Sequence, residues 1–202
     1  KELTSRILSV VPHGELYSQS ESGIENLDAQ LYRLSQDSRI ASVTPYTGIT
    51  GMLQSKGELK AISVTGIPVN SVSDKYAERV TSDDWQRFST QKNGLIVGKG
   101  IFASMDLNIG DIVQILIPQT TQDLTFKAPR SITLSISGVL SVGGELDNQL
   151  GLMHLETASE AIGISSKSQG IQFTLIDPFS SYDTMRDICL LYTSPSPRDP
   201  WK

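Results

Sequence analysis

The stretch that most limits the possible folds is 40–67, "IASVTPYTGITGMLQSKGELKAISVTGI". On either side of Lys56-Gly57, apolar and polar residues alternate along much of its length. Alternation with a period of two residues is typical of a strand with one buried face. A glycine-containing pair between two such runs is typical of a tight turn. The stretch therefore predicts a β-hairpin that turns at Lys56-Gly57.

Short strands and short helices alternate along the rest of the chain. The composition and periodicity predict further strands at 6–18, 95–97, 111–118, 131–140, 150–155 and 170–177. They predict a helix at 23–38, with Ser22 as its cap and an apolar stripe of Ile24, Leu27, Leu31 and Leu34. Further helices are predicted at 82–88, 100–107, 156–163 and 180–188, of which the helix 156–163 ends at Gly163 as its C-cap. Because hairpins outnumber strand–helix–strand crossovers in this order, the sequence predicts an α+β fold.

The strands at 111–118 and 131–140 are expected to pair as antiparallel neighbours. Between them lies "QTTQDLTFKAPR" (119–130), a polar connection of twelve residues. Hairpin loops usually have 2–5 residues, and longer ones are often functional. We therefore expect residues 119–130 to form a loop with a possible binding role.

Charge and cysteine content exclude several classes of protein. The 202-residue chain has a formal net charge of -5 and a pI near 5.0, so it lacks the basic footprint of a nucleic-acid-binding protein. Its one cysteine, Cys189, cannot form an internal disulfide or a cysteine-rich metal site. The last residues, 189–202, contain three prolines without periodicity and are interpreted as a disordered or non-native tail.

Gly98-Lys99-Gly100 follows an apolar strand and precedes a short helix, as a phosphate-binding loop would. A dinucleotide site would have a third glycine where Ala103 stands, and a P-loop would have Ser or Thr directly after Lys99. A helix of barely two turns also supplies little dipole for an anion. The sequence therefore favours a structural corner over a nucleotide site.

Other candidate catalytic groups are scattered. His13 and His154 show no metal-ligand spacing and are interpreted as structural. Asp83-Asp84 is expected to charge the start of a helix, whereas Glu145 and Asp147 could hold a cation or simply face solvent. Because no nucleophile, base and orienting group come together, the sequence predicts a non-enzymatic domain without catalytic residues, cofactor or metal.

Four segments in this order carry a family resemblance: "RILSVVPHGEL", the hairpin 40–67, "LIVGKGIFASMDLNIGDIVQILIP" and "SGVLSVGGELDN". The chain resembles, over about 1–188, the periplasmic domains of the LolE family of permease subunits, which belong to the lipoprotein-releasing ABC transporter LolCDE. The broader MacB-like periplasmic domains share a sparser pattern. Its positions here are Gly100, Ala103, Leu107, Gly110 and Asp111.

This resemblance implies a MacB-like periplasmic domain with two parts. A porter-like α+β subdomain would comprise 1–67 and 168–188, and a mostly-β, Sabre-like subdomain would be inserted at 68–167. The domain would stand in the periplasm of a Gram-negative bacterium, between transmembrane helices of an inner-membrane protein.

The resemblance also implies partners and a task without bond chemistry. The implied partners are a LolC-like permease subunit, a LolD-like ATPase acting through the membrane part, a lipoprotein substrate and a LolA-like carrier, with no nucleic acid. The domain would help to move lipoproteins from the inner membrane to the carrier. Two alternatives stay open: the periplasmic domain of a MacB-type efflux or cell-division permease, and a small hydrolase or nucleotide-binding enzyme.

In the sister LolC subunits, a hairpin of the inserted part contacts the carrier, and the matching segment here is Pro118–Arg130. Its candidate contact residues are Pro118, Leu124, Phe126, Lys127, Pro129 and Arg130. Exposed apolar residues next to basic ones are typical of a contact patch. The alternative is a solvated hairpin tip, which is common for such loops.

Overall fold

The computed structural model describes residues 12–18, 23–69, 76, 78–120, 126–164, 167–177 and 187. Across these residues the strands are β1 (Gly14–Tyr17), β2 (Ile40–Ser55), β3 (Glu58–Ile67), β4 (Gly94–Gly98), β5 (Ile112–Thr120), β6 (Phe126–Leu140), β7 (Leu150–His154) and β8 (Gly170–Leu175). The helices are α1 (Leu27–Ser35), α2 (Ser82–Thr90), α3 (Lys99–Ser104), α4 (Leu155–Ile162) and a 3-10 helix (Gly144–Asn148). This mixture confirms the predicted α+β fold.

Six of the strands form one sheet that closes on itself. Their order is β2–β3–β7–β4–β6–β5, and β5 pairs again with β2 through Met52↔Leu116 and Gln54↔Gln114. The pairs β3–β7 and β4–β6 are parallel, and the others are antiparallel. Closure needs a glycine in β2, because a Cβ at Gly51 would lie 2.4 Å from the Leu116 carbonyl oxygen. We refer to these six strands as the closed sheet.

A second, small sheet consists of β1, β8 and the first half of β2. Ile40–Tyr46 of β2 pair with β8, whereas Thr47–Ser55 pair with β3. The single long strand β2 therefore belongs to both sheets. The predicted two-part division of the chain stays a prediction, but its boundary at residue 67 does not separate the sheets, since β2 and β3 pair with strands of the predicted insertion.

The buried side chains form three clusters. The first draws alternate residues from all six strands of the closed sheet, so it fills the enclosed face; Leu95, Ile115 and Leu134 in it are fully buried. The second lies between α2 and the outer face of the closed sheet and contains Phe88. The third lies under α1 on the small sheet and contains Phe173. Leu27, Leu31 and Leu34 of α1, with Ile24 shortly before the helix, contribute to it along the predicted stripe.

The turn predicted at Lys56-Gly57 is present between β2 and β3. Lys56 has a φ of 51° and Gly57 a φ of 84°. Two consecutive positive φ angles match the right-handed twist of paired strands, and the second is readily adopted by glycine. The Lys56 ammonium also donates to the carbonyl of Asp106 at 2.6 Å, which fixes the turn against the loop before β5.

Two predictions about element ends were wrong. Helix α1 begins at Leu27, four residues later than predicted, with Asn26 in the N-cap position in a left-handed conformation. Within 119–130, the described residues Gln119, Thr120 and Phe126–Arg130 belong to strands, because β5 extends to Thr120 and β6 begins at Phe126. The polar composition had suggested a loop there, but polar residues are also common in exposed paired strands. The register between β5 and β6 shifts between Ile117 and Gln119, and such a bulge accommodates Pro118.

Some predicted features lie outside the described residues. These are the cap at Ser22, the strand before Pro12, the tail at 189–202 and the helix at 180–188, apart from Asp187, which is helical. Within the described ranges, no helix is long and apolar enough to cross a membrane.

Candidate functional site

The glycine corner at Gly98 and Gly100 is a close-packed contact between two elements. A Cβ at Gly98 would lie 2.4 Å from the Asp147 carbonyl oxygen, and a Cβ at Gly100 would lie 2.2 Å from the Asn148 side-chain oxygen. The 3-10 helix therefore lies directly against the corner between β4 and α3. This packing agrees with the structural interpretation of the sequence, because the glycines make room for Asp147 and Asn148 of the 3-10 helix.

The chain is expected to show no saturable binding of Mg-ATP, since Gly98 and Gly100 pack closely against the 3-10 helix and the residues required by phosphate loops are missing. Isothermal titration calorimetry of the whole 202-residue chain checks this. A one-site isotherm that weakens when Lys99 is replaced by alanine would contradict the packing interpretation.

Both histidines have structural partners. His154 is buried, its Nε2 lies 2.6 Å from the carbonyl oxygen of Phe88, and its ring meets the Phe88 ring edge-on at 4.7 Å. The Nδ1 of His13 accepts a hydrogen bond of 2.9 Å from the backbone N–H of Leu175. These contacts support the predicted structural roles, and His154 is more deeply buried than expected.

Two of the acidic residues singled out in the sequence, Asp84 and Asp147, accept hydrogen bonds from backbone N–H groups. Asp84 accepts from the backbone N–H of Val139 at 3.1 Å and from the Arg87 guanidinium at 2.8 Å, so it ties α2 to β6. Asp147 accepts from the N–H groups of Val142 and Gly143 at 2.8 and 3.0 Å. Among the described residues, no group of three or more metal-binding side chains comes together.

The contact of Asp84, on α2, with strand β6 was not predicted from the sequence, although Gly138 in that strand was a signal of it. A Cβ at Gly138 would lie 2.6 Å from the Cβ of Asp84, and the register of β6 against β4 shifts near this point. A glycine in an otherwise regular strand often marks such a bulge or a close approach. The predicted helix-charging role of Asp84 is thus secondary to its bond across the helix–strand contact.

Burial and local hydrogen bonds shift the pKa of the side chains of Tyr46, Tyr76 and Asp111. Burial raises the pKa of the Tyr76 hydroxyl to about 12. Burial, followed by the neighbouring Glu15 carboxylate, raises the pKa of Tyr46, whose hydroxyl donates to Glu15 at 3.1 Å. The hydrogen bond from the Asn108 N–H, with a smaller effect of Lys56, lowers the pKa of Asp111. These pKa shifts therefore follow from local structure and do not identify a catalytic pair of acid and base.

The predicted contact segment, Pro118–Arg130, includes the end of β5 and the start of β6. We refer to residues 117–131 as the hairpin arm. Pro129 and Pro118 are exposed beside the bulge. Phe126 and Lys127 belong to β6, where they pair with Thr120 and Gln119, and Leu124 lies outside the described residues. The arm extends past the strand pairs that close the sheet, which end at Leu116 on β5.

Arg130 has a contact within the chain. Its Nη1 donates to the carbonyl of Ala161 at 3.3 Å, at the end of α4, and lies 2.9 Å from the position of a Cβ on Gly163. Gly163 ends α4 in the left-handed conformation predicted for it, with a φ of 79°. A cation near the last carbonyls of a helix is favourable, so Arg130 fastens the base of the arm to α4.

Two solved structures share this fold. The periplasmic region of MacB from Actinobacillus actinomycetemcomitans aligns over 81% of this chain and 72% of its own, with a TM-score of 0.50 and 14% identity. The extracellular domain of the ABC-type transporter YknZ from Gram-positive bacteria aligns over 86% of both chains, with a TM-score of 0.50 and 13% identity. The fold is therefore that of the MacB-like periplasmic domains. No family model matches the sequence.

Curated relatives give the more particular similarity. The chain is 29% identical over 188 residues to the lipoprotein-releasing system transmembrane protein LolE of Haemophilus influenzae, covering 90% of this chain and 45% of that protein. It is 22% identical over 185 residues to LolC of Neisseria meningitidis, covering 88% and 43%. The predicted resemblance to LolE and to its sister LolC is confirmed, and the chain spans less than half the length of these relatives.

Proposed function

We propose that this chain is the periplasmic domain of a permease subunit in an ABC transporter that releases lipoproteins from the inner membrane. The observation that carries the proposal is the similarity to LolE, which runs through 188 residues and so includes both sheets. The fold supports it, because one solved structure with this fold, that of YknZ, is a domain of an ABC-type transporter. The domain itself performs no bond chemistry in this proposal.

The partners follow from the same relationship. A LolD-like ATPase supplies the energy through the membrane part, a LolC-like permease stands beside this subunit, and a LolA-like carrier receives the lipoprotein. The net charge of -5 disfavours a nucleic-acid partner. The periplasmic domain contributes movement and contact surfaces to the transfer.

Depletion of the full-length protein in its own host tests the proposal. Lipoproteins of the outer membrane are expected to accumulate in the inner membrane as the protein disappears, and membrane fractionation with immunoblotting measures this. Normal lipoprotein sorting after complete depletion would contradict the proposed function. Loss of drug or toxin export with normal sorting would instead favour the second candidate, a MacB-type efflux permease, which the fold of MacB supports.

The hairpin arm is the proposed contact surface for a periplasmic partner. The described part of the arm after Ile117 lies beyond the strand pairs that close the sheet, and none of its described residues belongs to the first core cluster. Pro118 and Pro129 are exposed, and the sequence places Phe126 and Lys127 next to the connection. An apolar residue beside a basic one suits a partner surface that is apolar with acidic edges.

Deleting residues 119–129 should leave the domain folded but reduce cross-linking to the partner and lipoprotein release by the assembled transporter. The deletion ends before Arg130, so the contact between Arg130 and α4 can persist. The matched control is replacement of the exposed Leu59 in the other hairpin by serine, which should change neither readout. Unchanged release and unchanged cross-linking after the deletion would defeat the proposed contact.

A further inference from the structure

The point at which β2 passes from the small sheet to the closed sheet has a buried polar residue. Tyr46 is the last residue paired with β8, and Thr47 is the first paired with β3. Thr47 has no exposed surface, and neither does Ser168, while Ser159 is 4% exposed. Polar side chains in such positions are stable only when hydrogen-bonded, so their partners show which elements the site joins.

The partners of Thr47 form a directed chain of hydrogen bonds. The Gln169 N–H donates to Thr47 Oγ1 at 3.2 Å, and Ser159 Oγ donates to the carbonyl of Lys167 at 3.1 Å. Thr47 Oγ1 and Ser159 Oγ lie 2.8 Å apart. Because the Ser159 proton is used toward Lys167, the Thr47 hydroxyl donates to Ser159. The Gln169 side chain completes the set by accepting from the Gly48 N–H at 3.0 Å.

This set joins three elements that belong to different parts of the fold. Thr47 is on β2, Ser159 is on α4 beside the closed sheet, and Gln169 directly precedes β8 of the small sheet. Close packing reinforces the contact, because a Cβ on Gly66 would lie 2.4 Å from Ala158 and one on Gly170 would lie 2.6 Å from the Tyr46 ring. We refer to Thr47, Ser159 and Gln169 as the sheet junction.

We propose that the sheet junction is a positioning device that holds the small sheet and the closed sheet in one orientation, so that the domain moves as a single body. A lone strand shared by two sheets can bend and twist, whereas buried hydrogen bonds in surroundings of low dielectric resist rearrangement. The proposal rests on the proposed function, in which movement of the membrane part reaches the periplasmic surfaces. A domain that bent at residue 47 would absorb that movement.

Distance measurements between the two sheets test the junction in the intact chain. Spin labels are placed at Ala29 on α1 and Ala103 on α3, both exposed, after Cys189 is replaced by serine. Pulsed electron paramagnetic resonance should give one narrow distance for this parent. Thr47→Val keeps the shape but removes the hydroxyl, and it should broaden or split that distance. Thr47→Ser keeps the hydroxyl and should restore the narrow distance.

Ser159→Ala provides a second variant on another element. It should broaden the distance as Thr47→Val does. Combining the two should broaden it by less than the sum of the single effects, because the bond between the two hydroxyls is lost in both variants. Narrow distances in folded Thr47→Val and Ser159→Ala proteins would overturn the proposal, and should Thr47→Val fail to fold, Ser159→Ala alone decides. Because this readout needs no transporter, it can succeed or fail independently of lipoprotein release.

Discussion

Replacing Gly98 with alanine is expected to lower the free energy of unfolding by about 1–3 kcal/mol, as overpacking of a close-packed contact does. The new Cβ would lie 2.4 Å from the carbonyl oxygen of Asp147 and 2.8 Å from its carbonyl carbon. These are backbone atoms, so no side-chain rotation can relieve the contact. The φ of Gly98 is -61°, an ordinary value for any residue, so the loss is steric rather than conformational.

Urea denaturation followed by circular dichroism measures this loss. Gly48→Ala is the matched control, because Gly48 is also a strand glycine, and its new Cβ would lie 3.6 Å from the Gln169 side chain, an ordinary contact. We expect Gly48→Ala to change stability little. If Gly98→Ala were as stable as the unmodified chain, the close contact between the corner and the 3-10 helix would be wrong.

Replacing Phe88 with alanine is expected to cost about 3–5 kcal/mol of stability, the usual range for a large side chain removed from a core. Phe88 is fully buried in the second cluster and contacts the rings of Trp85 and His154 at centroid distances of 5.5 and 4.7 Å. Its loss leaves a cavity between α2 and the closed sheet. The bond between its carbonyl and His154 involves backbone and remains possible.

The same denaturation experiment measures the effect of Phe88→Ala. Tyr32→Ala is the matched control, since Tyr32 is also an aromatic residue on a helix but is 68% exposed. Surface substitutions of this kind usually change stability by less than about 0.5 kcal/mol. Equal effects of the two substitutions would mean that α2 does not pack on the closed sheet as described.

Local sequence signals predicted the local structure well. Alternation in 111–118 correctly separated buried Val113 and Ile115 from exposed Ile112, because side chains on a strand point to opposite faces. The sequence predicted a turn at Lys56-Gly57 and a helix end at Gly163. The structure has positive φ angles at all three residues. The glycines at 98 and 100 were interpreted as a corner because the residues required by phosphate loops were missing.

Contacts between distant parts of the chain could not be predicted in this way. Closure of the sheet depends on Gly51 approaching Leu116, and no local pattern reveals which strand a glycine approaches. The polar composition of 119–130 suggested a loop, because the extension of the two strands into this segment depends on the pairing of β5 with β6. Arg130 was expected at a partner surface, but its intramolecular contact depends on where α4 ends.

The sheet junction shows the same limit. Thr47 and Gln169 are separated by 122 positions, and neither stands in a recognisable motif. A threonine in an alternating strand is unremarkable until its burial is known. Thr47 is important because β2 belongs to both sheets. The predicted division of the chain at residue 67 assigned all of β2 to one part and so gave no indication of this.

Lipoprotein transfer by the reconstituted transporter tests the proposed function most directly. The full-length permease is placed in proteoliposomes with its LolC-like and LolD-like subunits, and ATP-driven transfer of a lipoprotein to the soluble carrier is measured. We predict transfer with the native domain, and loss of transfer with retained ATP hydrolysis when a MacB periplasmic domain replaces it. Undiminished transfer after that exchange, or none with the native transporter, would contradict a specific role of this domain in lipoprotein release.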